Sequence, residues 1–240
     1  MSGHSKWAKV KYQKAVKDPK KSKAFSKLAN LITVAAREGG DPESNPKLRL
    51  AVEKAKSIGM PKEKIERAIQ RGTGQLEEGE NLEEIFYEAY TPGGGALLIQ
   101  TITENRNRTS NELRHLLNTY GAKLASGGSV RYLFQEKVKV QIDKKDWKED
   151  YSLQAIEKGV EDLQEQQDKI ILYVSPSAFP SFKNWIENEI KVPYQMEIDF
   201  LPHQTITISE ETTRKQISEL FEALNEHNDV EEFYSNIILS

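Results

Sequence analysis

The chain contains no cysteine. That excludes disulfides, thiolate metal sites and cysteine nucleophiles. Methionine is scarce, at three in 240 residues. No apolar run approaches the roughly 20 residues of a bilayer-spanning helix. The N-terminus carries charge without an apolar stretch, so it does not read as a secretory signal. Its basic residues are nearly all lysine, unlike an arginine- and serine-rich transit peptide. His4, His115, His203 and His227 show no metal spacing. No GxSxG or other nucleophile signature is present. Glu77-Glu78 and Glu83-Glu84 read as solvated charge rather than paired catalytic carboxylates. These absences point to a cytoplasmic protein that is not an enzyme, with no cofactor, no metal and no membrane contact.

What is present is concentrated charge. Residues 1–27 hold nine lysines (Lys6, Lys9, Lys11, Lys14, Lys17, Lys20, Lys21, Lys23 and Lys27) against one acid, Asp18. Trp7 and Tyr12 are set among them. Lysines near phosphate release condensed counterions, and aromatics stack on unpaired bases. Residues 1–78 carry 18 basic and 9 acidic groups, a net +9, and the remainder carries 16 basic and 28 acidic, a net −12. Such a division places a polyanion-facing segment on an acidic body.

Periodicity divides the chain further. Phe25, Leu28, Ile32 and Ala35 mark a helix over 22–38, stopped by Gly39-Gly40. Asn45-Pro46 opens a second helix, with Leu48, Ala51, Val52 and Ala55 inside. Pro61 opens a third, with Ile65, Ala68 and Ile69 inside and Gly72 at its end. Residues 84–91 and 96–103 are strand-like around a Pro92-Gly93-Gly94-Gly95 turn. That turn lacks the Gly-Lys-Ser/Thr of a phosphate loop. Thr109 to Glu112 fits a capping box for a helix carrying Leu113, Leu116, Leu117 and Tyr120. A strand is expected over 129–136. A second set follows: strand 138–142, a short helix near Ser152, strand 170–174, a helix over 178–190 and strand 194–199. Strand 204–208, a helix with Ile217, Leu220, Phe221 and Leu224 inside, and strand 229–235 close the chain. The last β-α-β complements the first β-β-α-β, so 137–203 reads as an insertion. The expected domains are 1–78, 79–136 with 204–240, and 137–203.

Asn105-Arg106-Asn107-Arg108 falls where a strand hands over to a helix. Arg106 and Arg108 beside free backbone amides make a candidate anion site, with a capping loop as the alternative.

The chain resembles the YebC family of bacterial proteins. Ser2-Gly3-His4-Ser5-Lys6-Trp7 is similar to that family's opening signature. Lys20-Lys21-Ser22-Lys23-Ala24-Phe25, Ala35-Ala36-Arg37-Glu38-Gly39-Gly40-Asp41-Pro42, Asn45-Pro46-Lys47-Leu48-Arg49 and Met60-Pro61-Lys62 continue it. So do Tyr90-Thr91-Pro92-Gly93-Gly94, Asn105-Arg106-Asn107-Arg108-Thr109 and Gly128-Ser129-Val130. Two places depart: Tyr12-Gln13-Lys14 replaces a His-Arg-Lys type run, and Gly121-Ala122-Lys123-Leu124 replaces Gly-Gly-Asn-Leu. The resemblance implies an α+β fold, in which a three-helix domain precedes two ferredoxin-like-type α+β domains, the third inserted in the second. It implies a DNA-binding transcriptional regulator, or alternatively a ribosome-associated factor that binds ribosomal or transfer RNA and relieves stalls at proline-rich stretches. It supplies no catalytic residues. The expected nucleic-acid contacts are Lys6, Trp7, Lys9, Lys11, Lys14, Lys20, Lys21, Lys23, Lys27, Arg37, Arg106 and Arg108.

Overall fold

A computed structural model describes residues 18–76 and 82–240. Its elements, numbered in chain order, begin with α1 (Asp18–Ala36), α2 (Pro46–Ser57), α3 (Lys62–Gly72), β1 (Glu83–Tyr90), β2 (Ala96–Thr103), α4 (Arg106–Thr119) and β3 (Lys123–Leu124). There follow β4 (Phe134–Asp143), α5 (Asp150–Glu157), β5 (Val160–Glu165), β6 (Lys169–Val174), α6 (Phe179–Asn184) and β7 (Tyr194–Pro202). The last are β8 (Ile206–Ile208), α7 (Glu211–Glu226), β9 (Val230–Ser235) and β10 (Ile237–Leu239). The architecture is α+β. Two compact units emerge: the chain through Leu133 with Pro202–Ser240, and Phe134–Leu201.

In the first unit, α1, α2 and α3 bury Leu28, Ile32, Leu48, Val52 and Ile65 against one another, with Met60 from the turn before α3. Helix α1 ends two residues before the expected Glu38. There the amides of Arg37, Glu38 and Gly39 turn to carbonyls three residues back, the tighter winding common at helix ends. Asn45 fastens the corner. Its Oδ1 accepts from the Leu48 amide at 3.1 Å, and its Nδ2 donates to the Ala35 and Gly39 carbonyls at 2.8 Å each. One buried side chain thus starts α2 and closes α1. Helices α1 and α3 touch at Gly72, where a Cβ would lie 2.2 Å from the Thr33 carbonyl oxygen.

The same unit holds a sheet in the order β3-β1-β2-β9, beside a parallel pair of β8 and β10. Gly93 and Gly94 take φ of +77° and +82° in the β1–β2 turn, a conformation that favours glycine. Helices α4 and α7 cover one face, packing Leu113, Leu117, Leu220 and Phe221 against Ala89, Leu97, Ile99 and Phe233.

The expected strand over 129–136 does not form before Phe134. The amides of Gly128, Val130 and Arg131 instead donate to the buried Glu88 carboxylate, at 2.6, 2.5 and 2.9 Å. A segment whose donors converge on one anion cannot also form a ladder.

The second unit has the β-α-β-β-α-β sequence and the sheet order β5-β6-β4-β7 of a ferredoxin-like domain. Helices α5 and α6 supply Ala155 and Phe182 to its core, and Ile186 comes from the turn after α6. Trp185 joins them from the π-turn that follows α6.

Candidate nucleic-acid interface

Lys6, Trp7, Lys9, Lys11 and Lys14 lie outside the described residues, and Lys20 and Lys21 stand on the first turn of α1. Lys23 and Lys27 follow on the same helix, four residues apart and so on one side of it. Both reach the C-terminal end of α7. Lys23 Nζ donates to the Glu226 carbonyl, and Lys27 Nζ donates to the carbonyls of Asn225, at 3.3 Å, and Val230. Helix C-termini present unpaired carbonyls at the negative end of the dipole, which suits an ammonium. Burial lowers the Lys27 pKa, with Glu231 opposing that shift. Burial pushes the half-buried Glu231 carboxyl up to about 8, against the pull of Lys27 and Lys54. Arg37 Nη1 donates to the Leu82 carbonyl at 2.5 Å.

The motif at 105–108 separates its two arginines. Asn105, rather than Thr109, is the N-cap of α4, accepting from the Arg108 amide at 3.0 Å. The helix therefore starts a turn earlier than a Thr109–Glu112 capping box requires. Thr109 is instead buried, with its Oγ1 2.6 Å from Asp229 and 2.8 Å from Thr103 Oγ1. Arg108 Nη2 lies 3.1 and 2.8 Å from the two Asp229 oxygens. The anion favoured at this helix start is thus the chain's own Asp229. Burial alone would raise the Asp229 pKa, but the hydrogen bonds from Thr109 and Arg108 hold it below the usual carboxylate range. Arg106 is exposed, and its guanidinium makes no hydrogen bond or ion pair among the described residues.

Glu112, His227 and Asp229 place one ligand atom each within 4.8 Å of one another. Their bonding suits a closed polar cluster. His227 Nδ1 accepts from the Asp229 amide at 3.2 Å, which leaves the proton on Nε2, 3.2 Å from Glu112. A metal would need that Nε2 lone pair, and Asp229 is already held by Arg108 and Thr109.

Sequence reasoning missed Asp229 and Glu88, the two carboxylates that organise loops here. Neither has a local signal, because Asp229 and Thr109 are 120 positions apart and Glu88 and Val130 are 42 apart. It missed as well that Lys123 sits beside Tyr90 across β3 and β1.

Family models match both parts of the chain: "TACO1/YebC protein N-terminal domain" over residues 5–75, and "TACO1/YebC second and third domain" over residues 82–237. The chain belongs to the TACO1/YebC family. It is 43% identical to a "Probable transcriptional regulatory protein" of Halothermothrix orenii, over 98% of this chain and 94% of that one. A protein of the same description from Thermotoga petrophila is 45% identical, over 98% and 93%. Among solved structures, a conserved hypothetical protein of Aquifex aeolicus matches with a TM-score of 0.84 and 40% identity, over 98% of both chains. No helix among the described residues is long and apolar enough to cross a membrane.

Proposed function

We propose that the chain is a non-enzymatic, nucleic-acid-binding regulator of gene expression that works in the cytoplasm, with DNA as its target. The charge division carries this reading: +9 over residues 1–78 against −12 over the rest. An acidic body repels polyanions, so contact is confined to the basic face. The relatives described as transcriptional regulatory proteins support the same role. The contacts fall to Lys6, Trp7, Lys9, Lys11 and Lys14, extended by Lys20 and Lys21 on α1 and by Arg106.

Changing Lys6, Lys9, Lys11 and Lys14 to Gln should weaken duplex binding. It should also flatten the log–log salt dependence by up to about 0.9 per lost phosphate contact. Unchanged affinity and slope would overturn the reading.

A second reading is translational: the same face on ribosomal or transfer RNA. Trp7 and Tyr12 among the lysines favour it, since aromatics stack on unpaired bases that a duplex hides. Lysine also reads base edges less well than arginine. Specific and random duplex sites should then differ by less than about a thousandfold, and the protein should co-sediment with ribosomes. A competitor-resistant promoter footprint without ribosome association would decide for transcription.

A further inference from the structure

We propose that Phe86, Tyr90 and Tyr132 form a ledge on which unpaired bases of a single-stranded nucleic acid stack. The inference rests on the nucleic-acid reading above but concerns a different surface from the lysine-rich segment. Along β1, Tyr87 and Ala89 enter the core, so Phe86 and Tyr90 point to the opposite face of the sheet. They are 36% and 44% exposed, and Tyr132 is 67% exposed. Six large hydrophobic residues are exposed among the described residues, three of them aromatic: Phe86, Tyr90 and Tyr132. Tyr132 follows Ser129 and Arg131, the residues that touch Tyr90 and Phe86.

Two of these rings are held in place. Tyr90 donates its hydroxyl hydrogen to the Ser129 carbonyl at 2.9 Å, which fixes the ring while leaving it open to solvent. The Arg131 guanidinium carbon sits 5.3 Å from the Phe86 ring centre. Glu88 pins the loop that carries Tyr132 by accepting from the amides of Gly128, Val130 and Arg131. The ledge is therefore ordered before any ligand arrives, which lowers the entropic cost of binding.

The charge beside the rings selects the occupant. Lys123 faces Tyr90 across the strand pair, and Arg131 covers Phe86. Cations set between aromatic rings suit a strand that carries a phosphate for every base. Glu88, the acid nearest the rings in sequence, is buried and held by three amides. Glu84 lies beyond Phe86, bonded to Gln100 Nε2 at 2.5 Å. Phe86 and Tyr90 stand roughly 13 Å apart along the strand, on the scale of sheets whose aromatics stack two or three bases.

The test uses the full chain with fluorescein-labelled octauridine, octathymidine and a 20-base-pair random duplex, read by anisotropy. Tyr132→Ala should weaken octamer binding about 5- to 150-fold, the equivalent of one lost stack. Duplex affinity and its salt slope should not change, and Tyr132→Phe should bind as the parent does. Phe86→Leu, which keeps bulk but removes the ring, should reproduce the loss. Equal octamer affinity in Tyr132→Ala and Phe86→Leu, or an equal loss on duplex, overturns the ledge. If only the lysine variants weaken octamer binding, the ledge fails and the nucleic-acid reading stands. If the parent binds none of the three probes, both fail. The ratio of octauridine to octathymidine affinity tells RNA from single-stranded DNA.

Discussion

Arg106 and Arg108 belong to one motif, and alanine at each should give two different phenotypes. Arg108→Ala removes a guanidinium nitrogen 2.8 Å from Asp229 Oδ2. Its side chain is 50% exposed and that of Asp229 13%, so the pair lies between a surface and a buried ion pair. Surface pairs contribute up to about 1 kcal/mol, and hydrogen bonds to charged groups about 1.5–3, so Arg108→Ala should cost about 1–1.5 kcal/mol. Asp229→Ala should cost about 2–3 kcal/mol, because it also strips the acceptor from Thr109 and the negative charge from the start of α4. The pH dependence has a definite sign. Asp229 titrates in the folded protein below its unfolded value of about 3.9, so its contribution is full above that value. It disappears as pH falls through the folded pKa. The stability gap between the parent and Asp229→Asn should therefore narrow as pH drops below about 4. Arg106→Ala should leave unfolding within about 0.5 kcal/mol of the parent yet weaken nucleic-acid binding. Urea unfolding by circular dichroism, paired with duplex affinity at fixed salt, measures both. The reasoning fails if Arg108→Ala unfolds like the parent while losing as much affinity as Arg106→Ala.

Two further variants probe the packing beneath the basic face. Gly72→Ala would put a methyl carbon 2.2 Å from the Thr33 carbonyl oxygen and 2.6 Å from Ala36 Cβ. Backbone cannot swing aside, so about 2–3 kcal/mol of destabilisation should appear in thermal unfolding, and a neutral result would refute the tight α1–α3 contact. Glu231 meets Lys27, Lys54, Glu232 and Glu84, and burial raises its carboxyl to about 8. A folded pKa above the unfolded one means that stability is full below about pH 4.3 and falls as pH rises through 8. Glu231→Gln should flatten that decline between pH 5 and 8, and an unaltered Tm profile would count against the assignment.

Local patterns and distant ones differed in how well they could be read. Asn45-Pro46 marked the start of α2, and Ile217, Leu220, Phe221 and Leu224 marked the inner face of α7, because capping and helical periodicity are written within a few residues. Strand β5 was not anticipated: its sequence VEDLQE carries three acids, and its strand character comes from pairing with the apolar β6. The strand expected at 129–136 and the capping box at Thr109 failed for one shared reason. In each case a carboxylate far away in sequence, Glu88 or Asp229, takes the donors that local rules assign elsewhere. The candidate site was legible as composition, in its lysine excess. It was not legible as geometry, since no spacing rule places Lys27 on the last carbonyls of α7.

That geometry bears on how a count of cations converts to binding. Arg108 is cancelled: its partner is a carboxylate, and the pair presents little net field to a polyanion. Lys47 and Lys62 are paired with Glu38 and Glu66, at 2.7 and 3.3 Å, on exposed surface. Such pairs are loose, and a phosphate can compete for them. Lys23 and Lys27 are in a third condition. Their Nζ atoms donate to backbone carbonyls, which occupy donors without removing charge. They add to the potential that draws a polyanion in, yet they are not free to follow a phosphate. Neutralising Lys23 by Gln should therefore slow association at low salt while leaving the limiting salt slope nearly unchanged, because that slope counts only cations that displace counterions at phosphates. Lys6, Lys9, Lys11 and Lys14 should each lower the slope. Stopped-flow association and equilibrium titration on one duplex separate the two classes. A drop of about 0.9 in slope for Lys23→Gln would place it among the phosphate contacts and undo the distinction.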